Sequence, residues 1–241
     1  MVLSFCGLLV LTRWIAKHVR GIGYLLTEDG NFALTLYFLL MLPGVLLHEL
    51  SHATAAWLLR VRVRRLSIGI RRKGRSRQVS LGSVDIAHTD PIRASLIGLA
   101  PLVAGCAAIL WISNQVLGVK SLPRFGEPGF WQALRTVYRV TDFWLWIYLV
   151  MAIGNVMLPS AADTQAWGTA LIFIVFAAAV LYFSGLLGSI SVSLAEWARN
   201  GASQLTYAFA VTVAVDLVFA VLVFAIEQTL GLLGFGRVQY H

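Results

Sequence analysis

Charge is what this chain has least of. Only 12% of its 241 residues are Asp, Glu, Lys or Arg, against roughly 25% in an ordinary soluble domain. Too few charged groups remain to cover a water-facing surface, so the bilayer is the expected solvent. Acids are scarcer than bases, 11 against 19, which leaves a net charge of +8. That excess does not point to nucleic acid, because nine of the nineteen bases lie between Arg60 and Arg77, beside a hydrophobic segment. Such clustering is the signature of a cytoplasmic membrane flank. Cysteine is nearly absent. Cys6 and Cys106 each sit in an apolar run, make no disulfide framework, and say nothing of redox compartment. No repeat, low-complexity linker or second domain interrupts the chain.

What the sequence has in quantity is apolar length: 59% hydrophobic residues and a mean hydropathy of +0.78. Five segments, about 32–59, 92–118, 143–160, 166–190 and 205–234, each hold about 18 or more mostly apolar residues, enough for a transmembrane helix. Residues 2–12 are apolar but too short to span. With Arg13, Lys17 and Arg20 following at helical spacing, they read as an interfacial helix. Between the first two spans, Val61, Val63, Leu66, Ile68 and Ile70 alternate with arginines. Lys73–Gly74 offers a turn, and Val79, Leu81 and Val84 follow. This predicts a β-hairpin at the membrane surface. The stretch PGFWQALRTVYRV, with Arg135 and Arg139 four apart, predicts an amphipathic surface helix. The expected fold class is therefore an all-α polytopic membrane protein with about five transmembrane helices, an N-terminal interfacial helix and a small surface hairpin. It is a single membrane-embedded domain over 1–241. Placing the arginine-rich loop 60–77 in the cytoplasm puts Glu28 and Asp29 outside and the C-terminus in the cytoplasm.

The first long span carries an anomaly, PGVLLHELSHATAAWLL. His48, Glu49 and His52 form H-E-x-x-H. On a helix the two histidines lie on one face, one turn apart, where two imidazole nitrogens can meet one Zn²⁺. The glutamate beside them can act as general base toward a metal-held water. An isolated buried histidine is usually a satisfied core residue. Three ionisable groups on one turn of a membrane span are costly and mark function by default. At about 1.5 Å per residue, His48 lies roughly 24 Å from Phe32 and roughly 16 Å from Leu59, inside the bilayer. Pro43 and Gly44 precede it and suggest a kink.

A catalytic zinc takes three protein ligands. His18 and His241 lie near the termini and His88 in a polar loop. Asp216 and Glu227 lie in the last span, Asp163 follows the third, and Glu196 lies in SLAEWARN. Asp163 competes with a bland reading as the cap of the next helix. Glu196 is its main rival, since HExxH with a distant glutamate is the other common arrangement, although the topology places it on the outer side. His88 and Asp90 read as loop residues, with Asp90–Pro91 starting a helix.

His48-Glu49-x-x-His52 in a span, then LAPLVAG at 99–105, then Asn155 and Asp163 eight apart with Pro159 between, together resemble the site-2 protease family of intramembrane zinc metalloproteases. The resemblance covers roughly residues 32–165. Thr164 stands where the family usually has glycine after the aspartate, and Ala100 where glycine usually precedes the proline. The resemblance implies a three-helix catalytic core over 32–165, with two additional transmembrane helices over 166–241. It implies Zn²⁺ held by His48, His52 and Asp163, Glu49 as catalytic base, and Asn155 in contact with substrate. The substrate would be a transmembrane segment of another membrane protein, unwound near the cytoplasmic edge, with the hairpin at 61–84 receiving it as an added strand. The location would be the cell membrane, multi-pass, with no nucleic-acid partner. Asn155 has a structural reading as well, as a polar contact between helices. Two other functions compete: a non-catalytic membrane scaffold that retains a metal site, and a small transporter whose buried groups handle metal ions or protons.

Overall fold

The computed structural model describes residues 1–72, 79–123, 126–183 and 187–233. Helix α1 runs from Val2 to Thr27 and α2 from Gly30 to Leu58. The polar pair between them makes the turn. Glu28 adopts a left-handed conformation, and Asp29 caps α2 by accepting the Asn31 N–H at 2.8 Å.

The first helix departs from expectation. An interfacial helix with an apolar run too short to span was expected, whereas α1, which carries Arg13, Lys17 and Arg20 as their spacing suggests, is long and apolar enough to cross a membrane. Arg13, Lys17 and Arg20 are exposed along one face, while Leu8, Ile15 and Val19 are buried on the other, where α1 meets α2 and α7. Charges spaced four and three apart occupy one stripe and leave the packing stripe unbroken.

After α2 come β1, Val63–Arg72, and β2, Val79–Ile86, an antiparallel hairpin. Leu66 pairs with Val84 and Ile68 with Gly82, with register shifts on either side. The expected turn at Lys73–Gly74 lies outside the described residues. The open end of the hairpin is anchored by Val63 and Ile86, which pack on the buried trio Ala56, Val61 and Ile97. Helix α3, Pro91–Trp111, starts as the sequence suggests: Asp90 accepts the Arg93 N–H at 2.9 Å and Pro91 fills the first turn. A π-helical turn, Ile112–Val116, extends it.

The third apolar segment is shorter than expected. The surface helix α4, Phe130–Tyr138, and α5, Phe143–Val156, meet at 92°. Helix α6 covers Trp167–Phe183. The last element departs most. Two separate spans, 166–190 and 205–234, were expected, but α7 is one helix of 46 residues, Leu187–Leu232. SLAEWARN lies between those apolar segments, and its Leu, Ala, Glu and Arg are all good helix formers. At about 1.5 Å per residue it extends about 69 Å, twice the roughly 30 Å of a hydrocarbon core. Its polar half, around Leu194 to Asn200, is exposed.

Among the described residues, four helices are long and apolar enough to cross a membrane, or five if the bent α4–α5 pair counts as one. Helices α1, α3 and α5 pack on α2, while α7 lies against α1, α3 and α5. Leu8, Met41, Val45, Ile109, Val150 and Met151 form the centre of the core, each no more than 1% exposed.

Candidate metal centre

His48 and His52 stand one turn apart on α2, and each is oriented by a backbone carbonyl of a neighbouring helix. The His48 Nδ1 lies 2.8 Å from the Val156 oxygen, and the His52 Nδ1 2.8 Å from the Ile97 oxygen. Both carbonyls are free for a stated reason. Val156 is the last residue of α5, and terminal carbonyls have no partner within the helix. Ile97 lies inside α3, but the residue four places on is Pro101, which has no N–H to offer. The proline of LAPLVAG therefore leaves open the acceptor that fixes His52.

Asp163 comes from the loop between α5 and α6. Its Oδ2 accepts hydrogen bonds from the Ser160 N–H at 2.7 Å and hydroxyl at 2.6 Å. The loop leans on α3 at Gly98, where a Cβ would run into the Asp163 carbonyl oxygen. Gly98 and Ile97 are neighbours, so one turn of α3 seats the aspartate loop and orients His52. Burial opposes the Asp163 charge, but hydrogen bonds with His52 and Ser160 outweigh it and hold the carboxyl below its usual range.

The three side chains converge. His52 Nε2 lies 3.2 Å from His48 Nε2 and 3.0 Å from Asp163 Oδ1, and His48 Nε2 lies 3.8 Å from Asp163 Oδ2. All three offer a ligand atom within 4.8 Å of the others. A carbonyl oxygen only accepts, so each Nδ1 carries the proton and each Nε2 of a neutral ring presents a lone pair. Two lone pairs and a carboxylate then face one point. One proton can serve the His52–Asp163 pair but not His48 as well, whereas a divalent cation serves all three. Zinc–nitrogen bonds of about 2.0–2.1 Å in tetrahedral geometry separate two nitrogens by about 3.3 Å, close to the 3.2 Å found. The donor set, and the Nδ1 contacts that fix each ring, fit a zinc site.

Glu49 points to another neighbour. It is 6% exposed, and a Cβ at Gly82 would lie 2.5 Å from its Oε1 and 2.7 Å from its Cδ. Strand β2 is thus laid directly over the carboxylate, which remains within electrostatic reach of His52 and Asp163. A glycine inside a strand often marks such an approach. Gly82 in VSLGSVDI carried that signal and sequence reasoning passed over it. Ser160 and Gly98 left no comparable trace.

The other candidates lie elsewhere. Glu196 is exposed on α7, and His88 is exposed in the loop before α3. Asn155 is buried on α5, where its Nδ2 donates to the Met151 carbonyl at 2.9 Å and to Asp216 Oδ1 at 2.8 Å. Both amide hydrogens are thus engaged, and its carbonyl oxygen is buried without a hydrogen-bond partner among the described residues. His18 and Glu227 approach each other at 3.9 Å between α1 and α7. His241 lies outside the described residues. No family model, curated protein or solved structure matches this chain.

Proposed function

We propose that the chain is a membrane-embedded zinc endopeptidase that cleaves transmembrane segments of other membrane proteins, a compact relative of the site-2 proteases. The observation that carries this reading is the convergence of His48 Nε2, His52 Nε2 and an Asp163 oxygen, with both Nδ1 atoms tied to carbonyls. A glutamate adjoins them under a strand. A binding site or a scaffold has no need of that acid between the two histidines, whereas hydrolysis needs a base.

His48, His52 and Asp163 would hold Zn²⁺, which when bound supplies Lewis acidity toward water and a peptide carbonyl. The rest falls to the chain. Glu49 accepts a proton from the attacking water and passes it to the leaving amine as the C–N bond breaks. The hairpin over Glu49 limits competing bulk water, and the outer edge of β1 can take up the main chain of an unwound substrate segment. Long apolar helices and the basic flank after α2 favour a multi-pass protein of the cell membrane, with the arginine-rich loop and the C-terminus in the cytoplasm.

The test is Glu49→Gln in the purified full chain, assayed for zinc and for cleavage of a model transmembrane substrate. Retained zinc with cleavage lost supports the protease. Unchanged behaviour would leave a scaffold. Zinc or proton flux into liposomes that depends on His48 and His52 would instead make the protein a transporter.

A further inference from the structure

Asp216 is the most deeply buried acid of the described chain, fully enclosed on α7, and the proposed chemistry does not use it. Among the described residues its one hydrogen bond is the 2.8 Å contact from Asn155 Nδ2 to Oδ1. Its Oδ2 and the Asn155 Oδ1 are both buried, and neither has a hydrogen-bond partner among the described residues. The neighbouring Thr212 hydroxyl donates to the Ala208 carbonyl at 2.9 Å and so is not free to help. No cation pairs with Asp216 among the described residues. Tyr37 of α2 is the ionisable group that interacts with it electrostatically, and Arg20 of α1 lies 5.9 Å from the centre of that ring.

Two orphaned acceptors in one buried pair are expensive, and an ionised carboxylate there would be more so. A single proton on Asp216 removes both problems. An acid facing a primary amide can close two contacts, the amide N–H to Oδ1 and the acid O–H to the amide oxygen.

The pair also sits at a mechanically important place. Asn155 immediately precedes Val156, whose carbonyl orients His48. On one side α7 presses on this turn at Gly154, where a Cβ would collide with Thr212. On the other, α2 crosses α5 at Gly44, where a Cβ would collide with the Ala152 carbonyl oxygen. We propose that Asp216 is carried as the neutral acid and is a positioning residue: paired with Asn155, it pins the end of α5 and, through the Val156 carbonyl, the ring of His48. The last link rests on the zinc reading given above.

The experiment uses the full chain in lipid, with Asp216→Asn and Asp216→Ala. Infrared spectra should show a protonated-carboxyl C=O band in the parent protein that is missing in Asp216→Asn. Zinc affinity should fall about ten- to a hundredfold in Asp216→Ala, the range typical of losing an outer-shell support. Asp216→Asn, a neutral isostere able to form the same double contact, should rescue it, and the two variants should differ likewise in the melting temperature of the metal-free protein. Absence of the infrared band, or an Asp216→Asn variant as impaired as Asp216→Ala, would overturn the neutral acid. Parental zinc affinity in Asp216→Ala would overturn the positioning role. Should the parent bind no zinc, the metal reading fails, while the infrared and melting comparisons still decide whether the acid–amide pair exists.

Discussion

Asp163 and Asp216 are the same side chain in two opposite settings. Asp163 sits at the rim of the helices on a loop, receives two hydrogen bonds from Ser160, and shares its other oxygen with His52. Its donors hold it ionised. Asp216 is sealed in the middle of a helix, with one donor and one orphaned oxygen among the described residues. On the proposal above it is the neutral acid of that pair. The difference lies in the supply of N–H and O–H groups: three donors surround Asp163, whereas one reaches Asp216 among the described residues, and this suits the first to a charge and the second to the acid–amide pair proposed above.

The contrast can be broken most severely at Asp163. Asp163→Ala should remove zinc from the purified protein, measured as metal per chain, while Glu196→Ala should retain it. Equal metal in both would transfer the ligand role elsewhere. Next in size is Pro101→Ala. It restores an N–H that competes for the Ile97 carbonyl, so His52 loses its fixed orientation and zinc affinity should drop about ten- to a hundredfold. An unchanged affinity would show that the proline has no part in orienting the ring.

Gly82→Ala sharpens the comparison from the catalytic side. The added methyl group displaces Glu49 or lifts β2, so substrate cleavage should fall several-fold at unaltered zinc content. Loss of metal instead would mean that the hairpin supports the ligands themselves. The smallest effect is expected from Ser160→Ala, which removes one of the two donors to Asp163 Oδ2. With less to stabilise the charge, the carboxyl should titrate higher. Because a depressed carboxyl contributes most above its unfolded value and loses that contribution as pH falls, zinc in this variant should be released at a higher pH during acid titration than in the parent.

Part of this was legible in the chain. The His48-Glu49-x-x-His52 spacing puts two imidazoles on one helical face whatever surrounds them, because helix geometry is local. The hairpin followed from alternation, and the start of α3 from Asp90–Pro91. The crossing length of α1 and the continuity of α7 through SLAEWARN did not follow from the apolar runs alone. Helices carry exposed charges on one stripe without ending, so an apolar run can be shorter than its helix. Asn155 was weighed as a substrate contact or as interhelical glue. Its contact with Asp216 depends on a partner 61 residues away.

By itself, then, the sequence determined an apolar, largely helical chain and a motif with two histidines one turn apart and an acid between them. These follow from composition and from periodicity within a single element. Only the tertiary structure decided that Asp163 meets both rings, that Val156 and Ile97 hold those rings in place, and that β2 covers Glu49. Each of these contacts joins segments far apart in sequence. Strand β2 can lie over the Glu49 side chain because Gly82 has no Cβ, the Asp163 loop can rest on α3 because Gly98 has none, and the Ile97 acceptor is open because Pro101 lacks a hydrogen. Residue spacing along one chain does not encode which distant surface will use such an opening.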